Sequence, residues 1–300
     1  MRIILAFVVA LVYSAPALAA GAAARAEATA VVVDVTDGAT LMLESPVMGI
    51  QAMAGQAMAS QAIPSQELRL AGIEAPQIAR GDADGADGGE SWPLAEDARQ
   101  ELAELALGHP VRLSFEGLPL DRYRRYIAHV HVERDHHHAW SPEPGIWLQG
   151  AMLARGMARV RSLADNRSRV AEMLAIEVDA RAAARGIWAH PFYRIRSATE
   201  AGADIDSFQI VEGVVRDRAR VRDRIYLNFG RDWRTDFTVA IDTRLLPIFE
   251  ESGLDPMTLK SRRIRVRGWI EARNGPLIEA THPEQIEVLS EAAPALAQRP

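Results

Sequence analysis

The sequence predicts a mainly β fold with helices, carried by two units in one chain. Three observations predict it. Short runs of β-branched or alternating residues, bounded by Gly, Pro and Asp turns, recur from residue 31 to residue 280. Three stretches of helical periodicity fall together within residues 93–185. Beyond a polar, Gly- and Ala-containing segment at 195–206, strand patterning restarts with one short helical interruption.

Composition sets the outer limits. At 300 residues, 48% hydrophobic and 25% charged, the chain is long enough for one large or two ordinary cores. The absence of cysteine excludes a disulfide-stapled fold, thiolate chemistry and a cysteine-ligated zinc site. A net charge of −6 supplies no bulk positive field, so any nucleic-acid binding must come from local patches. The acidity is uneven: residues 31–194 hold 16 basic and 22 acidic side chains, and residues 206–289 hold 14 of each.

Residues 1–20 combine a basic start, a short apolar core and small residues at Ala17 and Ala19. They read as a secretory signal cleaved near Ala19 or Ala20, which predicts an exported protein, periplasmic or secreted, with no membrane span in the mature chain. A small-residue linker is expected over 22–28. A β-branched strand at 31–35, a turn at Thr36-Asp37-Gly38 and a strand at 40–43 then form a hairpin-like start. Residues 45–65 hold three near copies of a Gln-Ala-Met/Ile five-residue unit and read as an inserted mobile loop.

Residues 67–73 alternate as a half-buried strand and end in Glu74-Ala-Pro-Gln77. An aspartate- and glycine-rich loop follows at 81–90, then a helix over 93–107 with acids in its first turns and Gly108 at its end. Strands are expected at 111–116 and 126–133, and helices at 147–159 and 166–185. His129 and His131 alternate on one strand face and His136, His137 and His138 follow in a loop, a polar hairpin with a surface histidine tract. In the last third, strands are expected at 208–215, 225–229, 237–241, 264–270 and 277–280, with a short helix at 244–252 between the third and fourth. That is the order of an OB-fold. The domain plan is therefore 30–194, a linker at 195–206, an OB-like β domain at 207–290 and a tail at 291–300.

Five motifs in order carry a family resemblance: Asp37-Gly38-x-Thr40; Arg69-Leu-x-Gly-Ile-Glu74-Ala-Pro76; Asp121-Arg-Tyr123-Arg-Arg125; Leu153-Ala-Arg-Gly156-Met-Ala-Arg-Val160; and Ala-Arg-Gly186-Ile-Trp188. Over about residues 30–194 the chain resembles the staphylococcal nuclease, or thermonuclease-like, family. The resemblance implies an OB-type five-stranded barrel with three helices packed around it. It also implies a calcium ion that polarises a phosphodiester, two arginines that stabilise the developing charge, and a glutamate that assists attack by water. Hard oxygen ligands suit calcium, and guanidinium groups match phosphate oxygens.

On this chain the resemblance places Arg69 and Arg125 at the two arginine positions and Arg122 and Tyr123 where a terminal phosphate is contacted. The acidic positions depart from the pattern. Ala39 occupies a ligand position and removes that calcium ligand. Glu74 replaces an aspartate and sets its carboxylate about 1.5 Å further out. Gln77 stands at the general-base position, where an amide orients water but accepts no proton, and loss of a base costs about 10²- to 10⁴-fold. Arg161, Ser162 and Leu163 occupy the stretch where the family has its base-stacking tyrosines.

The expectation is a catalytically impaired nuclease fold that binds a nucleic acid, another anion or a cell-envelope protein. The alternative is an active phosphodiester hydrolase with a rearranged calcium site, in which Asp82, Asp84 and Asp87 of the neighbouring loop replace the missing ligands. Arg69 and Arg125 either hold an anion or pair with Glu74 and Asp121. In the last third, arginines at 216, 218, 220, 222, 224, 265 and 267 alternate near Tyr226, Phe229, Trp233 and Trp269. That surface suits single-stranded nucleic acid or, equally, a face of ion pairs over core aromatics.

Overall fold

The computed structural model describes residues 26–44, 67–79, 90–133 and 145–289. The expected signal (1–20), the inserted loop (45–65), Asp82, Asp84, Asp87, His136 to His138 and the tail (291–300) lie outside them.

The first unit is a closed barrel of five strands: β1 (Ala26–Asp37), β2 (Thr40–Leu43), β3 (Glu67–Leu70), β5 (Pro110–Phe115) and β6 (Tyr126–Val132). The order β3-β2-β1-β5-β6 closes where β3 pairs with β6 in parallel, Leu68 opposite Tyr126 and Leu70 opposite Ala128. Closure depends on the length of β1. Its first half (26–31) pairs with β5 and its second half (32–37) pairs with β2, the second with register shifts at Val32/Asp34 and Val35/Asp37 that bend the strand. The strand starts at Ala26, inside the expected small-residue linker, because hydrogen bonding to β5 overrides the weak β preference of alanine. Alternate side chains such as Leu41, Leu43, Leu68, Leu70, Val111 and Leu113 fill the interior.

Helix α1 (Ala95–Ala106) packs Ala98, Leu102 and Ala106 on the barrel, one helical turn apart. Helix α2 (Leu148–Ala154) stops five residues before its expected end. Gly156 takes a φ of 69°, and Arg159–Val160 becomes a strand, β8, paired with β4 (Ile73–Glu74). Helix α3 (Val170–Ala182) completes the three expected around the barrel, and β7 (Ile146–Trp147) pairs antiparallel with the end of β6.

Residues 196–204 are packed against their surroundings. β9 (Arg196–Ser197) pairs with β10, and the buried Arg196 holds Asp204 at 2.8 Å and the carbonyls of Phe192 and Arg194. The second sheet contains β10 (Ser207–Val214), β11 (Asp217–Val221), β12 (Arg224–Asn228), β13 (Thr238–Asp242), β14 (Arg263–Ala272), β15 (Pro276–Glu279) and β16 (Ile286–Val288). Its order is β11-β12-β13-β15-β14-β10-β9, with β16 on β14. Two residues separate β10 from β11, so one nearly continuous stretch of chain serves both ends of the sheet. β11 reads Asp-Arg-Ala-Arg-Val, and its arginines and single valine give too weak an apolar alternation to predict a strand. Helix α4 (Leu246–Glu251) lies between β13 and β14 in sequence, and a second core forms around Ile225, Val239, Phe249, Val266 and Ile278.

Face-to-face contact joins the two units. Arg267 on β14, 1% exposed, donates to Glu177 on α3 at 3.0 Å and to the carbonyl of Val160, and it also pairs with Glu287. Arg167 forks onto Glu284 at 2.8–3.0 Å, and His282 Nε2 lies 2.6 Å from Ser162 Oγ. A carboxylate as deeply buried as that of Glu177 is stable only when opposed by charge, and Arg267 and Arg181 oppose it.

Candidate functional site: an arginine-lined cleft

A cleft of about 1020 Å³ opens on the barrel surface. The end of β1 and the turn after it bring Asp37 and Ala39 to it, β3 brings Arg69, the segment after β4 brings Gln77, and the loop before β6 brings Asp121, Arg122, Tyr123 and Arg125. Arg161 follows β8 into the same space, and Trp92 and Trp269 also line it. Of Ala39, Arg69, Glu74, Gln77, Arg122, Tyr123 and Arg125, all but Glu74 therefore border one cavity.

The loop before β6 is organised by Asp121. Its carboxylate accepts from the backbone N–H of Tyr123 at 2.8 Å and of Arg125 at 2.9 Å, and from Arg125 Nε at 2.8 Å. An aspartate that binds its own backbone two residues on is a turn-forming device, and it lets Arg124 sit at a φ of 64°. Tyr123 is 61% exposed, with the guanidinium carbons of Arg122 and Arg125 at 4.7 and 5.2 Å from its ring centre. Arg125 is thus tied to Asp121, with Glu67 further off at 3.7 Å.

Arg69 behaves differently. It faces Thr40 across the β2–β3 ladder, and among the described residues its guanidinium has no hydrogen-bond or ion-pair partner. Burial pulls its pKa below the usual arginine value, the nearby Arg161 adds to that, and Glu74 and Asp37 oppose it. Glu74 is not available to it. The fully buried Glu74 carboxylate accepts from Arg159 Nη2 at 3.1 Å on one oxygen and from Arg161 Nη1 at 3.0 Å on the other. Of the two pairings open in the sequence, Asp121 with Arg125 forms and Glu74 with Arg69 does not.

The donors among the described residues do not fit the calcium implied by the resemblance. Ala39 contributes a buried methyl group, both Glu74 oxygens are held by guanidinium groups, and one Asp37 oxygen accepts from the Ala39 N–H at 2.8 Å. Calcium takes six to eight oxygens, and among the described residues no group of three or more potential metal ligands exists. Gln77 is exposed at the rim with its backbone carbonyl engaged by the Trp92 N–H at 2.9 Å.

The histidines of β6 point away from metal chemistry. His129 is buried with Nε2 3.0 Å from Asn166 Oδ1, and His131 Nε2 lies 3.1 Å from Arg169, whose guanidinium sits 3.3 Å from the Trp147 ring centre. Burial and the charges of Arg169 and Arg112 hold the His131 pKa down to about 4. In the second sheet, Arg265 pairs with Glu212 and Glu287 and Arg267 is buried against the first unit, while Phe229 belongs to the core. The β14 arginines therefore form the ion-paired face rather than an open one. Sequence reasoning missed Arg159 as the partner of Glu74; a basic residue next to the Val160 of the fourth motif was the available signal. It also missed Trp92.

Residues 67–190 match the family model described as Staphylococcal nuclease homologue. The match begins at β3, although β1 and β2, which precede residues 45–66, complete the barrel. No curated protein matches the chain. The matched segment and the closed five-strand barrel fit a staphylococcal nuclease-like family.

Proposed function

We propose, from the nuclease and nucleic-acid-binding family that residues 67–190 fit, that the cleft binds the phosphodiester backbone of a nucleic acid and does not hydrolyse it by the calcium route. The observation that carries this reading is the division of charge in the site. Among the described residues, Arg69 is left as a half-buried cation facing the cleft with no hydrogen-bond or ion-pair partner, while the carboxylate that would join a metal site is neutralised by Arg159 and Arg161. An unpaired guanidinium in a partly dry cleft is a strong anion acceptor, because its planar fork matches phosphate oxygens and little water is displaced.

Arg125, fixed by Asp121, and the exposed Arg122–Tyr123 pair extend the positive rim. In Gln77 an amide replaces the proton acceptor. Residues 1–20 support action outside the cytoplasm, and the β10–β16 sheet order supports an OB-like second unit.

Binding of inorganic tripolyphosphate and of a single-stranded oligonucleotide, followed by calorimetry with the mature chain, tests the reading. Arg69→Ala is expected to weaken both about 10- to 100-fold, the loss of one charge-assisted contact. Cleavage of either DNA or RNA that requires calcium and disappears in Arg69→Ala would overturn it.

A further inference from the structure

Strand β14 alternates its faces. Ile264, Val266 and Ile270 enter the second core, so Arg265, Arg267 and Trp269 share the opposite face. Arg267 pins that face to the barrel through Glu177 and the Val160 carbonyl. Two residues further along, about 6.6 Å at the usual strand rise, Trp269 reaches the arginine-lined cleft of the other unit, where it is 47% exposed.

Its seat is held from behind. Phe208 on β10 lies opposite Trp269 in the ladder, and the Phe208 carbonyl accepts from Arg159 Nη2 at 2.7 Å. The Phe208 ring packs 4.9 Å from the Arg159 guanidinium carbon and 5.6 Å from that of Arg161. The same arginines that neutralise Glu74 therefore also fix the strand pair that presents Trp269.

We infer that the second unit completes the cleft: Trp269 is the platform on which a base of a single-stranded nucleic acid stacks while Arg69 holds a neighbouring phosphate. The inference rests on the phosphodiester reading above and specifies its ligand as a single strand, since a base must leave its duplex stack to lie on a side chain. An aromatic plane beside guanidinium groups is the arrangement such strands use, and it tolerates any base because every base has a flat face. Leu163 lines the cleft and Ser162 is engaged by His282, so the stretch after β8 offers no aromatic ring of its own. Trp269 supplies one from another part of the chain.

The test uses the full mature chain with three ligands: oligo(dT), the same oligo(dT) annealed to oligo(dA), and inorganic polyphosphate of matched charge. Trp269→Ala is expected to weaken oligo(dT) binding about 5- to 100-fold and to leave polyphosphate binding unchanged. Trp269→Phe is expected to retain most of the affinity. Quenching of tryptophan emission by oligo(dT) is expected in the parent and to shrink in Trp269→Phe. If polyphosphate binds through Arg69 but Trp269→Ala leaves oligo(dT) unaffected, or the duplex binds as tightly as the single strand, the stacking role is overturned and the anion site stands. If Arg69→Ala changes none of the three affinities, the anion site falls too.

Discussion

At the scale of single residues, the fate of one carboxylate decides the character of the cleft. Glu74 sits at the end of a motif that is easily read in sequence, and its chemistry in isolation is that of a metal ligand. Its partners lie 85 and 87 residues later, Arg159 on β8 and Arg161 just after it. Burial depresses the Arg159 pKa, the Glu74 charge counters this, and neither is stable in the interior without the other. Glu74→Gln keeps the shape and removes the charge, so it is expected to destabilise the protein by about 3 to 5 kcal/mol, the cost of breaking a buried pair. Urea unfolding measures it; a loss below about 1 kcal/mol would show that solvent reaching Arg161 already screens the site. Arg69, Arg125 and Asp121 were legible as residues that belong together, because the motifs that carry the family resemblance contain them. Which carboxylate each arginine takes was not, because that depends on which strands become neighbours.

At the scale of elements, the barrel was legible and its joints were not. Period-2 patterning fixed β3, β5 and β6, and helical periodicity with acidic first turns fixed α1. The early end of α2 follows from two glycines that the sequence showed as separate motifs. Gly156 and Gly186 touch back to back: the Ile187 N–H donates to the Gly156 carbonyl at 2.8 Å, and both residues have positive φ. A Cβ on Gly156 would lie 2.2 Å from the Arg185 carbonyl oxygen, and one on Gly186 would lie 2.3 Å from that of Gly156. Gly156→Ala is expected to cost at least about 2 kcal/mol, from backbone overlap added to a left-handed conformation. Gly108→Ala, at a φ of 77° but with open space around it, is expected to cost only about 1 kcal/mol. Equal midpoint shifts for the two in chemical denaturation would refute the overlap.

At the scale of the whole molecule, the two units are joined through titratable groups. His282, in the turn before β16, is buried against Ser162 of the first unit, and burial lowers its pKa to about 4, with Glu284 opposing and Arg167 adding. His131 is held down to about 4 as well. An unfolded histidine takes up a proton near 6.5, so between pH 6.5 and about 4 the unfolded chain binds protons that the folded chain refuses. Stability is therefore expected to be full above pH 6.5 and to fall as the pH drops to about 4. The urea midpoint measured at pH 7, 5 and 4 is expected to decline, and to decline less steeply in His282→Asn; parallel curves would remove His282 from this role.

The sequence by itself determined the mainly β fold with helices and the positions of most strands, which are local properties set by side-chain period and turn chemistry. Its family resemblance, carried by short motifs, singled out the arginines of the cleft and the replacement of acids by Ala39 and Gln77. Tertiary structure alone decided that Glu74 is neutralised by Arg159 and Arg161 and not by Arg69, that Arg267 of the last third is buried against the first unit, and that Trp269 stands in a cleft built by strands more than a hundred residues earlier. Those outcomes depend on closure of the barrel and on one face of β14 packing against it, and side-chain patterning along a chain holds no distance between residues so far apart.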